Sequence, residues 1–316
     1  MKKTKWISIL TALAMTLSVF SLSASSLNLE IQEEEAMITD KMVFAAEMGK
    51  KYEAALSKGE IVQSDIASRD ELMMQYMFAS DEEREEISEL LEQRGVYVYS
   101  VGENAASVTN EEPSVSPTSI WYPTSGSGDV EMQAPIIYYE AWEDSWTVTC
   151  GGQWKNDNWR PYLPGTTGNL GDVDAFGVGY TNIKSSYNSY VIRSCGYLTD
   201  QNGNNMVSTN NRSDGDGSIG FGFRLQDKVS HLPSLLGEYL YVGYKWYGSC
   251  TYDAKFSTYS GVATAYYTHT YSTATINSVK FGVNGKIGGV EVDISNKEVS
   301  FTAYSNDTPL RAYGLE

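Results

Sequence analysis

The stretch GGVEVDISNKEVSFTAYS, residues 288–305, decides the fold. Val290, Val292 and Ile294 alternate with Glu291, Asp293 and Ser295. Beyond Asn296-Lys297, Val299, Phe301 and Ala303 alternate with Ser300, Thr302 and Tyr304. A period of two is that of a β-strand with one buried and one wet face, and the intervening Asn-Lys pair predicts a hairpin. Val279, Phe281 and Val283 alternate just upstream and lead to Asn284-Gly285, so a meander of three strands is expected.

The same texture extends backwards to residue 120. EYLYVGYKWYGSCTYDAKFST, from Glu238, predicts two strands: Leu240, Val242, Tyr244 and Trp246 inward, then Tyr252, Ala254 and Phe256. DAFGVGY sets Phe176, Val178 and Tyr180 on one face and Gly177 and Gly179 on the other. SIGFGFRL does the same with Ile219, Phe221, Phe223 and Leu225 against Gly220 and Gly222. A glycine weakens a strand unless something approaches the bare backbone, and an aromatic side chain is the simplest filler. Many short strands with regular turns predict a mainly β protein, an antiparallel sandwich or jelly-roll-like domain, with a closed barrel as the alternative.

The N-terminal third differs. Lys2, Lys3 and Lys5 precede an apolar run, Trp6 to Leu22, and a small-residue zone, Ser23 to Ser26. This is the pattern of a secretory signal peptide, residues 1–26. Residues 27–101 are acidic and helical, with Ile38, Met42, Ala45, Tyr52 and Leu56 at helical spacing and three short helices expected. Ser68 to Glu71 and Ser80 to Glu83 fit capping boxes, and Gly95 fits a C-cap. Six of the ten methionines lie here, suiting a surface that docks on something else. Residues 102–119 have the Ser, Thr, Pro and Glu composition of a linker, and residues 120–316 form the β-rich domain. That order fits a secreted protein whose helical segment is a propeptide, and equally a two-module protein that keeps both parts.

Charge and motifs narrow the function. The formal charge is −17, and becomes about −20 without the three leader lysines. Such a surface repels phosphate backbones, so nucleic acid is excluded as a partner. No metal-protease, P-loop, nucleophile-elbow or dinucleotide motif occurs, and no cofactor is expected. With only His231 and His269 present, nothing local supports a Cys–His pair. An oxidising exterior favours one disulfide among Cys150, Cys195 and Cys250, their spacing leaving the pairing open, and three buried reduced thiols are the equal alternative in a chain this large. Asn211, Asp214 and Asp216 offer oxygen donors in a turn, a weak calcium candidate, and no other metal site is expected.

Four of the seven tryptophans fall between Tyr138 and Trp159. Trp142 and Trp146 are expected to pack across a hairpin closed by Glu143-Asp144-Ser145. Trp159 lies in a polar loop with Asn156, Asp157, Asn158, Arg160 and Tyr162, a composition suited to stacking on a sugar ring and bonding its hydroxyls. The expected function is therefore non-enzymatic recognition of extracellular or cell-surface carbohydrate. One alternative is a secreted toxin or bacteriocin-like protein, acting on membranes through Gly261–Val279 once the helical segment is removed; that run is uncharged and rich in Ser, Thr and Tyr. Another is a glycoside hydrolase using Glu140 with Glu238 or Asp253.

Overall fold

The computed structural model describes residues 25–63, 65–102, 108–109, 127–157, 159, 168–185, 188–232, 238–271, 274–295 and 300–310; for 25–39, 108–109, 231–232 and 238–239 it describes the backbone alone. Of the expected signal peptide, residues 1–26, residues 1–24 lie outside them. No helix among the described residues is long and apolar enough to cross a membrane.

The protein is mainly β and antiparallel, as the alternation predicts. One sheet has six strands in the order β1 (Val96–Val101), β3 (Val130–Glu140), β4 (Ser145–Trp154), β12 (Lys245–Tyr252), β7 (Val191–Thr199) and β8 (Asn205–Thr209). The facing sheet has five: β2 (Val108–Thr109), β16 (Ser300–Pro309), β13 (Ser260–Thr270), β6 (Asp174–Lys184) and β9 (Gly220–Leu225). Between them lies the main core, including Trp146, Val148 and Trp154 from β4, Phe176 and Val178 from β6, and Ala263, Ala265 and Tyr267 from β13. β5 (Gly168–Asn169), β10 (Lys228–Leu232) and β11 (Glu238–Val242) form a small third sheet.

Both outer faces are also covered. α1 (Ser25–Lys58), α2 (Ile66–Phe78) and α3 (Asp81–Glu92) precede the strands. Met73, Tyr76, Met77 and Leu91 of α2 and α3 pack on Ile136, Tyr138, Cys195 and Tyr247, the outward residues of the six-stranded sheet. A ribbon of β14 (Ile276–Lys280) and β15 (Glu291–Ile294) accompanies Phe281 and Val290 over Tyr266 and Tyr304, outside the five-stranded sheet. The ribbon corrects the expected hairpin: β15 pairs with β14, while β16 pairs with β13 and β2. Alternation assigned the faces properly, but strand partners depend on which surfaces remain to be buried, and β16 is needed inside the sandwich.

Other boundaries shift for local reasons. The second capping box is present, Ser80 and Glu83 bonding reciprocally. The first is not: α2 starts earlier, and its N-cap is Asp65, whose carboxylate accepts the Ser68 N–H at 2.8 Å. Helix α1 is long, and its packed face is Lys41, Phe44, Ala45, Met48 and Tyr52; Met42 and Leu56 point outward. Lys41 is fully buried, donating to the Tyr259 carbonyl at 2.7 Å beneath the Phe256 ring, and desolvation pulls its ammonium down to about 7. The helical segment ends at Gly95, because Val96–Val101 is an edge strand paired with β3. Trp246 belongs to β12 rather than to the preceding strand, and Ala254–Thr258 is a 3-10 turn, not a strand.

The glycine-rich strands pair with each other, Gly177 opposite Gly222 and Gly179 opposite Gly220. Phe281 fills the space over Gly220, and the Gly288 carbonyl and Val290 fill that over Gly179. Gly179→Ala must displace backbone, so it is expected to lower unfolding free energy in urea by about 1–3 kcal/mol. Gly128→Ala, with nothing nearby to meet, should change it by less than about 0.5 kcal/mol.

Candidate functional site

The aromatic cluster around the β3–β4 hairpin divides differently from expectation. The hairpin turn is Ala141 to Asp144, with Ser145 already opposite Glu140, and Asp144 takes a positive φ of 52°. The cross-strand partner of Trp146 is Tyr139, their rings 5.0 Å apart, not Trp142. Trp142 is half-buried at the hairpin tip, its ring 4.1 Å from the Arg69 guanidinium. Trp159 is 1% exposed and stacks on Trp154 at 5.2 Å and 13°. Its indole is core, because the polar loop turns it inward onto another indole. Asn156 donates to Asp129, and Asp157 is exposed; Asn158, Arg160 and Tyr162 lie outside the described residues.

Next to Trp142 lies the most charged buried region of the molecule. Glu140 ends β3 with no exposure, and both its oxygens accept from Nη2 of Arg193, on β7. Thr147 donates to one of them, the Trp142 Nε1–H to the other at 3.4 Å, and Arg69 Nε stands 3.8 Å away. Arg193 also binds Glu143. Asp70, one residue from Arg69 on α2, accepts the Cys195 thiol at 3.4 Å. Burial, then the charge of Glu140, pushes the Asp70 carboxyl up to about 6. Two guanidiniums thus neutralise Glu140, and an indole N–H bonds it. It has no open face for a substrate, and Asp253 sits in a separate network, accepting from Ser189 at 2.6 Å. The Glu238 side chain is outside the described residues. No paired-carboxylate catalytic geometry arises among these described groups.

Beside this network a cleft of about 450 Å³ opens between the helical segment and the hairpin tip, lined by Tyr52, Ile61, Val62, Gln63, Asp65, Arg69, Arg94 and Trp142. Arg94 donates to the Leu90 carbonyl at 2.7 Å, while its buried Nε has no partner. The cleft therefore offers an indole edge, a carboxylate acceptor, an amide and guanidinium donors.

A second cluster escaped the sequence reading. Asp174 opens β6, His269 lies on neighbouring β13, and Asp227 sits between β9 and β10. All three are buried, and one ligating atom from each lies within 4.8 Å of the others. Asp174 accepts from His269 Nδ1 at 2.9 Å, the Tyr267 hydroxyl at 2.7 Å and the Thr270 N–H at 3.0 Å. Burial, with the neighbouring Asp174, pushes the Asp227 carboxyl well above the ordinary range. Trp154 meets the His269 ring edge-on at 5.1 Å. The sequence signal was faint: acids heading or ending an apolar strand, where a solvated residue is the usual reading.

The calcium candidate is corrected. Both oxygens of Asp214 accept from Arg224, and Asp216 accepts from Ser218, so the donors are committed; Asn211 is exposed. The disulfide is corrected too: all three cysteines are free and buried. Cys150 faces Gly248 and Cys250 faces Val148, a diagonal offset too long for an S–S bond, and Cys195 points to the opposite face beneath the helices. No protein-family model and no curated protein matches the chain.

Asp70 gives a pH signature. Its raised folded-state value means its contribution is complete below about pH 4 and lost as pH rises through about 6. Asp70→Asn should flatten that decline and raise stability above pH 6, relative to pH 4, by on the order of 1–3 kcal/mol, read from urea unfolding at several pH values. A parallel decline in variant and wild type would contradict it.

Proposed function

We propose that the protein is a secreted, non-enzymatic binding protein that recognises extracellular or cell-surface carbohydrate, with its ligand in the Trp142 cleft rather than against Trp159. The observation behind this reading is that Trp142, alone among the described tryptophans, is not buried, and that it borders a cleft of hydrogen-bonding side chains. Sugars present apolar ring faces rimmed by hydroxyls that both donate and accept, and an indole beside Asp65, Gln63 and Arg94 suits them. The strongly acidic surface favours neutral glycans over polyanions. Trp142→Ala should weaken binding on a neutral-glycan array or by calorimetry at least tenfold, with a smaller loss of Tm than Trp159→Ala. Trp159→Ala should instead lower stability by about 3–5 kcal/mol, as removal of a core aromatic does. Undiminished glycan binding by Trp142→Ala counts against the cleft.

A second reading, a toxin released from its helical segment, rests on the apolar face that α2 and α3 cover. Detaching them would bare Ile136, Tyr138 and Tyr247. Protein cut between residues 102 and 126 should then release dye from liposomes while the uncut chain does not. Under the first reading the cut protein releases no dye and loses the glycan, because seven of the cleft's eight lining residues precede the cut, all but Trp142.

A further inference from the structure

The buried acids of this protein are handled in two ways. Fully buried Glu140 is met by Arg193 and Arg69, and half-buried Asp214 by Arg224. Asp227 is buried like Glu140, at 1% exposed, yet no lysine or arginine pairs with it among the described residues. Its Oδ1 accepts from Gln226 at 3.2 Å, and its Oδ2 has no hydrogen-bond partner. Asp174, the other carboxylate of the cluster, has only His269 as a basic partner among the described residues. Two enclosed carboxylates and one imidazole therefore converge with an acceptor left over. Leaving a buried acceptor unmet is costly, and more so for a carboxylate.

We propose that Asp174, Asp227 and His269 form a structural site for one first-row divalent cation, foremost Zn²⁺. An imidazole nitrogen with two carboxylate oxygens is a ligand set for zinc or manganese, whereas calcium takes oxygen alone. Tetrahedral zinc with bonds of about 2.0–2.2 Å sets ligand atoms about 3.3–3.6 Å apart, so the present spacing, within 4.8 Å, needs its longest separation to contract by up to about 1.5 Å. Of the roughly four lone-pair sites on the Asp174 carboxylate, Tyr267, His269 and Thr270 take three, which leaves one on Oδ1. An ion bonded by His269 Nδ1 would replace the proton that this nitrogen shares with Asp174 and so free the Asp174 oxygen for the metal.

The surroundings suit a closed, structural ion. Tyr271 and Trp154 stand edge-on to His269 at 4.7 and 5.1 Å, and Phe301 lies 5.7 Å away. Gly243, with φ of 116°, passes so close to Asp227 that any side chain there would strike its Cβ. The cluster joins β13, β6 and the β9–β10 connection, so an ion there would tie the five-stranded sheet to the small third sheet. Closed sites of this kind contribute to folding rather than to turnover.

The test uses the full secreted chain, stripped with chelator and then given ZnCl₂. Elemental analysis after gel filtration should find about one zinc per chain, and Tm should rise by about 5 °C at saturating ion. Asp227→Asn should lose both responses while its metal-free Tm equals or exceeds that of the wild type, because it removes an uncompensated carboxylate. His269→Gln should weaken zinc binding at least tenfold, and Co²⁺ in the wild type should give a visible absorption band absent from Asp227→Asn. A wild-type chain with no retained zinc and no Tm shift overturns the proposal. So does equal binding by wild type and Asp227→Asn, which would put the ion elsewhere.

Discussion

A carboxylate without solvent access, Glu140, is the point around which much of the molecule is arranged. Its charge is tolerable only because Arg193 approaches from β7, Arg69 from α2, and Thr147 from the facing strand of the hairpin. Removing one partner of such a set typically costs about 3–5 kcal/mol, because the remaining charge stays buried. The same contacts position Trp142, which lies against Arg69 and bonds Glu140, and so shape the wall of the cleft. The helices, the hairpin tip and β7 therefore share one electrostatic constraint.

That constraint changes how the N-terminal segment is understood. The helices are not an appendage to a finished sandwich. Met73 and Met77 are fully buried on the outer sheet face, Lys41 reaches the Phe256 and Tyr259 carbonyls, and the segment continues into an edge strand. Short β2, inside the stretch with linker composition, pairs with β16 in the opposite sheet. The chain thus passes from one sheet to the other before β3 begins. Cutting within that stretch would remove cover, a strand and one side of the cleft together.

Much of the strand content was legible because backbone geometry alone sets it. Phe176, Val178 and Tyr180 face the core as their alternation demands, and the intervening glycines are filled by neighbouring groups such as Phe281. The Ser80 capping box was legible for the same local reason. The hairpin of residues 288–305 was not, since its two halves serve different layers. Among the tryptophans, the polar company of Trp159 suggested solvent, yet stacking on Trp154 outweighs it. Trp142, which seemed to be packing, sits at the rim. The Asp174–Asp227–His269 cluster had no local signature, because strand pairing and a loop between sheets bring its members together.

From its sequence alone this chain was determined to be a mainly β, acidic protein with an N-terminal helical segment. Charge, cap and turn chemistry, and a side-chain period of two, are properties of neighbouring residues. Only the tertiary structure decided which strands pair, which indole remains at the surface, and which buried acids receive a guanidinium and which do not. Those outcomes depend on what distant segments leave to be covered or neutralised, and no window of adjacent residues contains that information.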